Sequence, residues 1–122
     1  MATILIAEDV PAVVPLVAER LTRLGHRVLL ARDGEEAEAT IRAERPDLVI
    51  LDVVLPKRNG FQLCRSLRAT PEFARLPIIV VTAMDRESDQ YWGLKQGADE
   101  YLVQPVDPEA LLESVAGYLP GS

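Results

Sequence analysis

The chain has 122 residues, 48% hydrophobic and 26% charged, enough for one domain with a real core and too balanced for a disordered or fibrous chain. Its formal charge of −6 and pI near 4.8 argue against binding a phosphate backbone and favour divalent cations or cationic protein surfaces. One cysteine, Cys64, excludes an internal disulfide and one histidine, His26, a zinc cluster; with no apolar run of about 20 residues and no signal-peptide pattern, a cytoplasmic location is expected.

In chain order, a continuous apolar run, Ile4-Leu5-Ile6-Ala7, predicts a first strand, and Val14, Val17, Leu21 and Leu24 then follow helical spacing. Pro11 suits a helix start, whereas Pro15 lacks an amide, which predicts an irregular entry to this helix. Val28-Leu29-Leu30-Ala31 and Leu48-Val49-Ile50-Leu51 predict the second and third strands. Leu63, Cys64 and Leu67 mark a helix, and Ile78-Ile79-Val80-Val81 a fourth strand. Trp92, near Tyr91 and Leu94, lies in the fourth helix and is read as a partly buried packing residue. Tyr101-Leu102-Val103 gives the fifth strand, and Leu111, Leu112, Val115 and Leu119 the last helix. Gly25, Asp33-Gly34, Asn59-Gly60, Gly97 and Asp107-Pro108 fall where helices start or stop. Five strands alternating with five helices predict a doubly wound parallel α/β domain over residues 1–122, with ligands gathered at the carboxyl ends of the strands.

At those ends stand Glu8 and Asp9, Asp52, Thr82 and Ala83, and Gln104 and Pro105. Any one acid there is as well explained as a helix cap. Together the carboxylates repel, and a hard cation with oxygen ligands, such as Mg²⁺, is the usual remedy.

The stretches ILIAEDV, PDLVILDVVLPKRNGF, LPIIVVTA and KQGADEYLVQPVD resemble, in combination and across essentially the whole chain, a response-regulator receiver domain of two-component signalling, of the chemotaxis-regulator type. DRESDQYWGLKQGAD is similar more narrowly to stand-alone receivers linked to twitching motility and phototaxis. The resemblance implies a flavodoxin-like (βα)5 fold with strand order 2-1-3-4-5. It implies Asp52 as phosphoacceptor, with Glu8, Asp9, Asp52 and the Val54 backbone carbonyl as Mg²⁺ ligands. Thr82 is implied as the hydroxyl that meets the phosphoryl group and Tyr101 as the aromatic switch. Implied partners are a sensor histidine kinase or phosphotransfer protein and a downstream output or motility protein, met through a face that includes Trp92 and Tyr101. A homodimer is left open, and neither nucleic acid nor membrane is an expected partner.

Gln104 departs from the pattern, which has a lysine before a proline whose peptide bond is typically cis. An amide still donates a hydrogen bond, but neutral bonds contribute about 0.5–1.5 kcal/mol against about 1.5–3 for charged ones, so weakened switching is expected. Lys57 and Arg58 are read as solvated loop cations rather than replacements for that charge. Glu8 stands where the family often has Asp, one methylene shorter. Val54 and Met84 are apolar and orient no water, which predicts slow loss of the phosphoryl group. His26 is expected to face solvent and Cys64 to be a small core residue. The alternative function is a phosphorylation-independent interaction module. An aspartate phosphatase is disfavoured because Val54 stands where its second acid belongs, and a dinucleotide-binding domain because no glycine-rich turn follows the first strand. The chain is thus expected to be a regulator and not an enzyme.

Overall fold

The apolar runs become strands of a parallel sheet, the three central ones buried on both faces and the two edge strands only in part, and the intervening amphipathic segments cover those faces as helices. The structure, a computed structural model, describes residues 1–8, 14–57 and 59–119, without the side chain of Val14; Asp9, Pro11 and Arg58 lie outside the described residues. The elements are β1 (Thr3–Ala7), α1 (Val14–Arg23), β2 (Arg27–Ala31), α2 (Gly34–Glu44), β3 (Leu48–Leu51), α3 (Gly60–Ala69), a 3₁₀ turn (Pro71–Phe73), β4 (Ile78–Thr82), α4 (Glu87–Lys95), β5 (Glu100–Val103) and α5 (Pro108–Tyr118). All five strands are parallel, in the order β2-β1-β3-β4-β5 expected of a flavodoxin-like receiver.

Alternation along the central strands divides the core into two layers. Leu5, Ala7, Val49, Leu51, Ile78 and Val80 pack with Ile41 of α2 and Leu63, Cys64 and Leu67 of α3. On the other face, Ile4, Ile6, Leu48, Ile50, Ile79 and Val81 meet Val17 and Leu21 of α1 and Leu111 and Val115 of α5. Cys64 is a core residue as expected, and burial pushes its thiol up to about 11.

Helix starts follow the sequence signals. Asp33 accepts from the Glu36 amide at 2.8 Å, Asn59 from Phe61 at 2.7 Å, and Asp107 from Glu109 at 3.2 Å, ahead of Pro108 in the first turn. Pro15 falls in the first turn of α1, where no amide partner is required, and the helix runs on regularly.

Four expectations need correction. β2 is an edge strand, so its run is not buried on both faces, and Leu30 is 58% exposed. Leu24 lies beyond the last turn of α1 and is exposed. Trp92 is 53% exposed and meets Tyr91 edge to face, their centroids 6.1 Å apart; α4 buries Gly93 and Asp89 instead. His26 is half-buried, and its Nδ1 accepts from the Ala2 amide at 3.1 Å.

At the pole opposite the carboxyl ends, Arg68 of α3 holds several segments together. Its guanidinium donates to Gly97 O at 2.8 Å and Leu76 O at 2.6 Å, and pairs with Asp99 at 2.9 Å; Asp99 also accepts from the Ile78 amide at 2.8 Å. A planar fork with several donors suits this junction better than a point-charge ammonium.

Candidate functional site

Parallel register brings the site residues to one rim. Ala7 pairs with Ala31 and Leu51, and Thr82 with Val103, so the residues that follow β1, β3 and β5 emerge side by side. Glu8 is tied in place by its amide to Ala31 O at 3.0 Å, and Asp52 by its amide to Ala7 O at 2.9 Å. Asp52 Oδ1 accepts from the Val54 amide at 2.9 Å, which turns the chain just after the strand. Thr82 is the last residue of β4 rather than the first beyond it, and it is fully buried.

Gln104 follows β5. Its amide donates to Thr82 O at 2.8 Å, and its side-chain Nε2 donates to Glu8 Oε1 at 2.6 Å. The Gln104–Pro105 peptide bond is cis, as the resemblance implied. Lys57 Nζ lies 3.6 Å from Asp33 Oδ2, an exposed loop pair consistent with its reading as a solvated cation.

Glu8 and Asp52 are the acids that directly follow a strand among the described residues. Burial pushes the Glu8 carboxyl above the usual carboxylate range; the Gln104 bond opposes this, and the Asp52 charge adds to it. Among the described residues, Glu8 Oε2 and Asp52 Oδ2 accept no hydrogen bond. Two neighbouring carboxylates with free oxygens, one of them partly desolvated, form a donor set that fits a hard divalent cation.

Near the acids, Thr82, Met84 and Tyr101 are joined by two hydrogen bonds. Thr82 Oγ1 accepts from the Met84 amide at 3.4 Å, and Met84 O accepts from the Tyr101 hydroxyl at 2.9 Å. Tyr101 is half-buried against Phe61 and Met84 of the α2/α3 core layer, and burial pushes its hydroxyl up to about 12. The ring lies over Gly93 of α4, next to Phe61. The sequence marks Met84 only as an apolar residue that orients no water, because its contacts with Thr82 and Tyr101 are made by its backbone. Gly93 carried a usable signal, since a glycine inside a helical segment often marks close packing.

The response regulator receiver domain family matches residues 4–116. Protein PilH of Pseudomonas aeruginosa is 43% identical over 121 residues, spanning 99% of this chain and 100% of its own length. The transcriptional regulatory protein AfsQ1 of Streptomyces coelicolor is 43% identical over 91% of this chain, which spans 48% of that longer relative. Among solved structures, the chemotaxis response regulator CheY4 of Vibrio cholerae superposes with a TM-score of 0.88 at 31% identity, covering 98% of this chain and 99% of that one. The receiver domain of a Pseudomonas aeruginosa sensor histidine kinase, crystallised with a magnesium ion coordinated in its active-site cleft, gives a TM-score of 0.84 at 31% identity, with 96% of each chain covered. Among the described residues no helix is long and apolar enough to cross a membrane. The strand order, the acids at its rim and these matches agree: the chain belongs to the response regulator receiver family of two-component signalling.

Proposed function

We propose that residues 1–122 form a single receiver domain that accepts a phosphoryl group on Asp52 and relays the event to a partner protein in the cytoplasm. The carrying observation is the juxtaposition of Asp52 with Glu8, each fixed by its backbone amide at the end of a central strand. An Asp52 carboxylate oxygen attacks phosphorus in a phosphohistidine or small phosphodonor; a P–O bond forms and the bond to the donor breaks. Glu8, Asp9, Asp52 and the Val54 carbonyl would hold Mg²⁺, which when bound neutralises charge at the transferring group. Thr82 would bond a phosphoryl oxygen in exchange for its 3.4 Å contact with the Met84 amide. That shift reaches Tyr101 through the Met84 carbonyl, changing the surface around α4 that Trp92 and Tyr91 expose. The donor is a sensor histidine kinase or phosphotransfer protein, and the recipient an output or motility protein. The protein regulates and turns over no external substrate. Gln104 weakens the coupling because its amide brings no positive charge.

A second reading, a phosphorylation-independent interaction module, is favoured by Tyr101. Its inward position is held by Met84 O and the open space at Gly93, and neither contact involves Asp52. Incubation with Mg²⁺ and a small phosphodonor, read by intact mass and Trp92 fluorescence with Asp52→Asn as control, separates the two. Modification of Asp52 with a fluorescence change supports the switch. Absence of both under saturating donor supports the module.

A further inference from the structure

In this chain the residue before the cis proline does not carry a charge toward the phosphoacceptor; it is bonded to the acid at the end of β1. Gln104 Nε2 donates to Glu8 Oε1 at 2.6 Å, while its backbone amide donates to Thr82 O at 2.8 Å. One residue therefore links Glu8, the end of β4 and the loop that leads from β5 into α5. The bond depends on the chemistry of both side chains. A glutamate reaches one methylene further than an aspartate, and a glutamine presents a neutral donor that satisfies one carboxylate oxygen without cancelling its charge. A lysine there would form an ion pair with Glu8 and compete with a cation for it.

We propose that Gln104 is a positioning residue for Glu8, fixing the carboxylate so that Oε2 is presented to a divalent cation, and thereby tying the β5–α5 loop to cation occupancy rather than to phosphoryl charge. This rests on the cation site proposed above. Partners that orient a metal-ligating side chain commonly change affinity by about 10–100-fold when removed. Gln104 has that relation to Glu8, and its effect on the loop follows from the same bond: any movement of Glu8 toward the cation is transmitted to Gln104 and so to Thr82 O.

The test is Mg²⁺ titration of the intact chain, measured by calorimetry and by backbone amide shifts in nuclear magnetic resonance. Wild type is expected to bind saturably and to shift the amides of Val103, Gln104 and Val106. Gln104→Met, which keeps the length of the side chain but donates no hydrogen bond, is expected to bind roughly tenfold more weakly and to lose those loop shifts at saturating Mg²⁺. Gln104→Lys is expected to bind more weakly again. In a Glu8→Asp background the carboxylate is retracted, and Gln104→Met is expected to have no further effect, a non-additivity that a general loss of stability does not produce. Thermal melts without Mg²⁺ identify any variant that fails to fold, and Gln104→Asn then provides the second test, with a donor too short to reach Glu8. Saturable binding that Gln104→Met and Gln104→Asn leave unchanged overturns the positioning role and leaves the cation site standing. No saturable binding by wild type, or binding indifferent to Glu8→Gln and Asp52→Asn, overturns the cation site and the positioning role with it.

Discussion

The Tyr101 ring occupies the space that a β-carbon on Gly93 would need: such an atom would lie 2.5 Å from Cδ2 and 2.7 Å from Cε2. Glycine inside α4 ordinarily costs about 0.8–1.0 kcal/mol relative to alanine. In this helix it admits the aromatic ring, and the ring carries its hydroxyl to Met84 O at 2.9 Å.

Gly93→Ala is therefore expected to displace Tyr101 and break that hydrogen bond. Overpacking costs about 1–3 kcal/mol and the gain in helix propensity returns about 1, so the variant should be less stable by roughly 1 kcal/mol in urea unfolding. With Tyr101→Ala already present the ring contacts are gone and only Phe61 Cε1 at 3.3 Å remains, free to shift into the space vacated, so Gly93→Ala should then stabilise. A destabilising effect in both backgrounds contradicts the packing described here.

Tyr101 also sets an alkaline limb of stability. Burial first, then the charges of Asp89, Asp52 and Asp85, push its hydroxyl from 10.0 up to about 12. The folded state holds the proton more tightly than the unfolded chain, so this contribution is complete below about pH 10 and is lost as pH rises through about 12. Tyr101→Phe should remove the tyrosinate absorbance that rises near pH 12, together with the associated part of the alkaline stability loss, while Tyr118, which burial also raises, continues to titrate late.

Arg68→Ala removes donors to Gly97 O and Leu76 O and leaves Asp99 without its cationic partner, with only the Ile78 amide donating to its carboxylate. Hydrogen bonds involving charged groups contribute about 1.5–3 kcal/mol, and several are lost at one partly buried junction, so a loss of about 2–4 kcal/mol is expected in thermal or urea unfolding. Arg68→Lys should recover less than half of it, because an ammonium cannot reach the same set of carbonyls.

Asp52→Asn is expected to stabilise the metal-free protein by about 0.5–1 kcal/mol, the scale of a partly exposed charge interaction. It removes the charge that adds to the effect of burial in raising the Glu8 carboxyl, while the amide oxygen can still accept from the Val54 amide that Oδ1 now meets at 2.9 Å. Unfolding curves in chelator measure this directly. A less stable variant indicates that the acid pair is not a repulsive cluster.

Much of this was legible in the chain itself. Strand runs, cap residues and helical spacings are local signals, written in neighbouring side chains, and they located the elements and their order. The acids and Thr82 were recognisable because strand ends in a parallel sheet converge by topology alone. Leu30 and Trp92 were misjudged because burial is not local: it depends on whether another strand or helix lies alongside, and β2 is an edge and α4 presents its aromatic pair outward. The Glu8–Gln104 bond joins residues 96 positions apart, and the place of Tyr101 depends on a backbone carbonyl and a missing β-carbon. The first leaves no mark in residue type or spacing, and of the second only Gly93 does, as a glycine inside a helical segment. The sequence by itself determined which chemistry reaches the rim, because residue identity sets charge and donor type; only the tertiary structure decided which partner each group takes, because that is set by distances between segments that the chain order does not bring together.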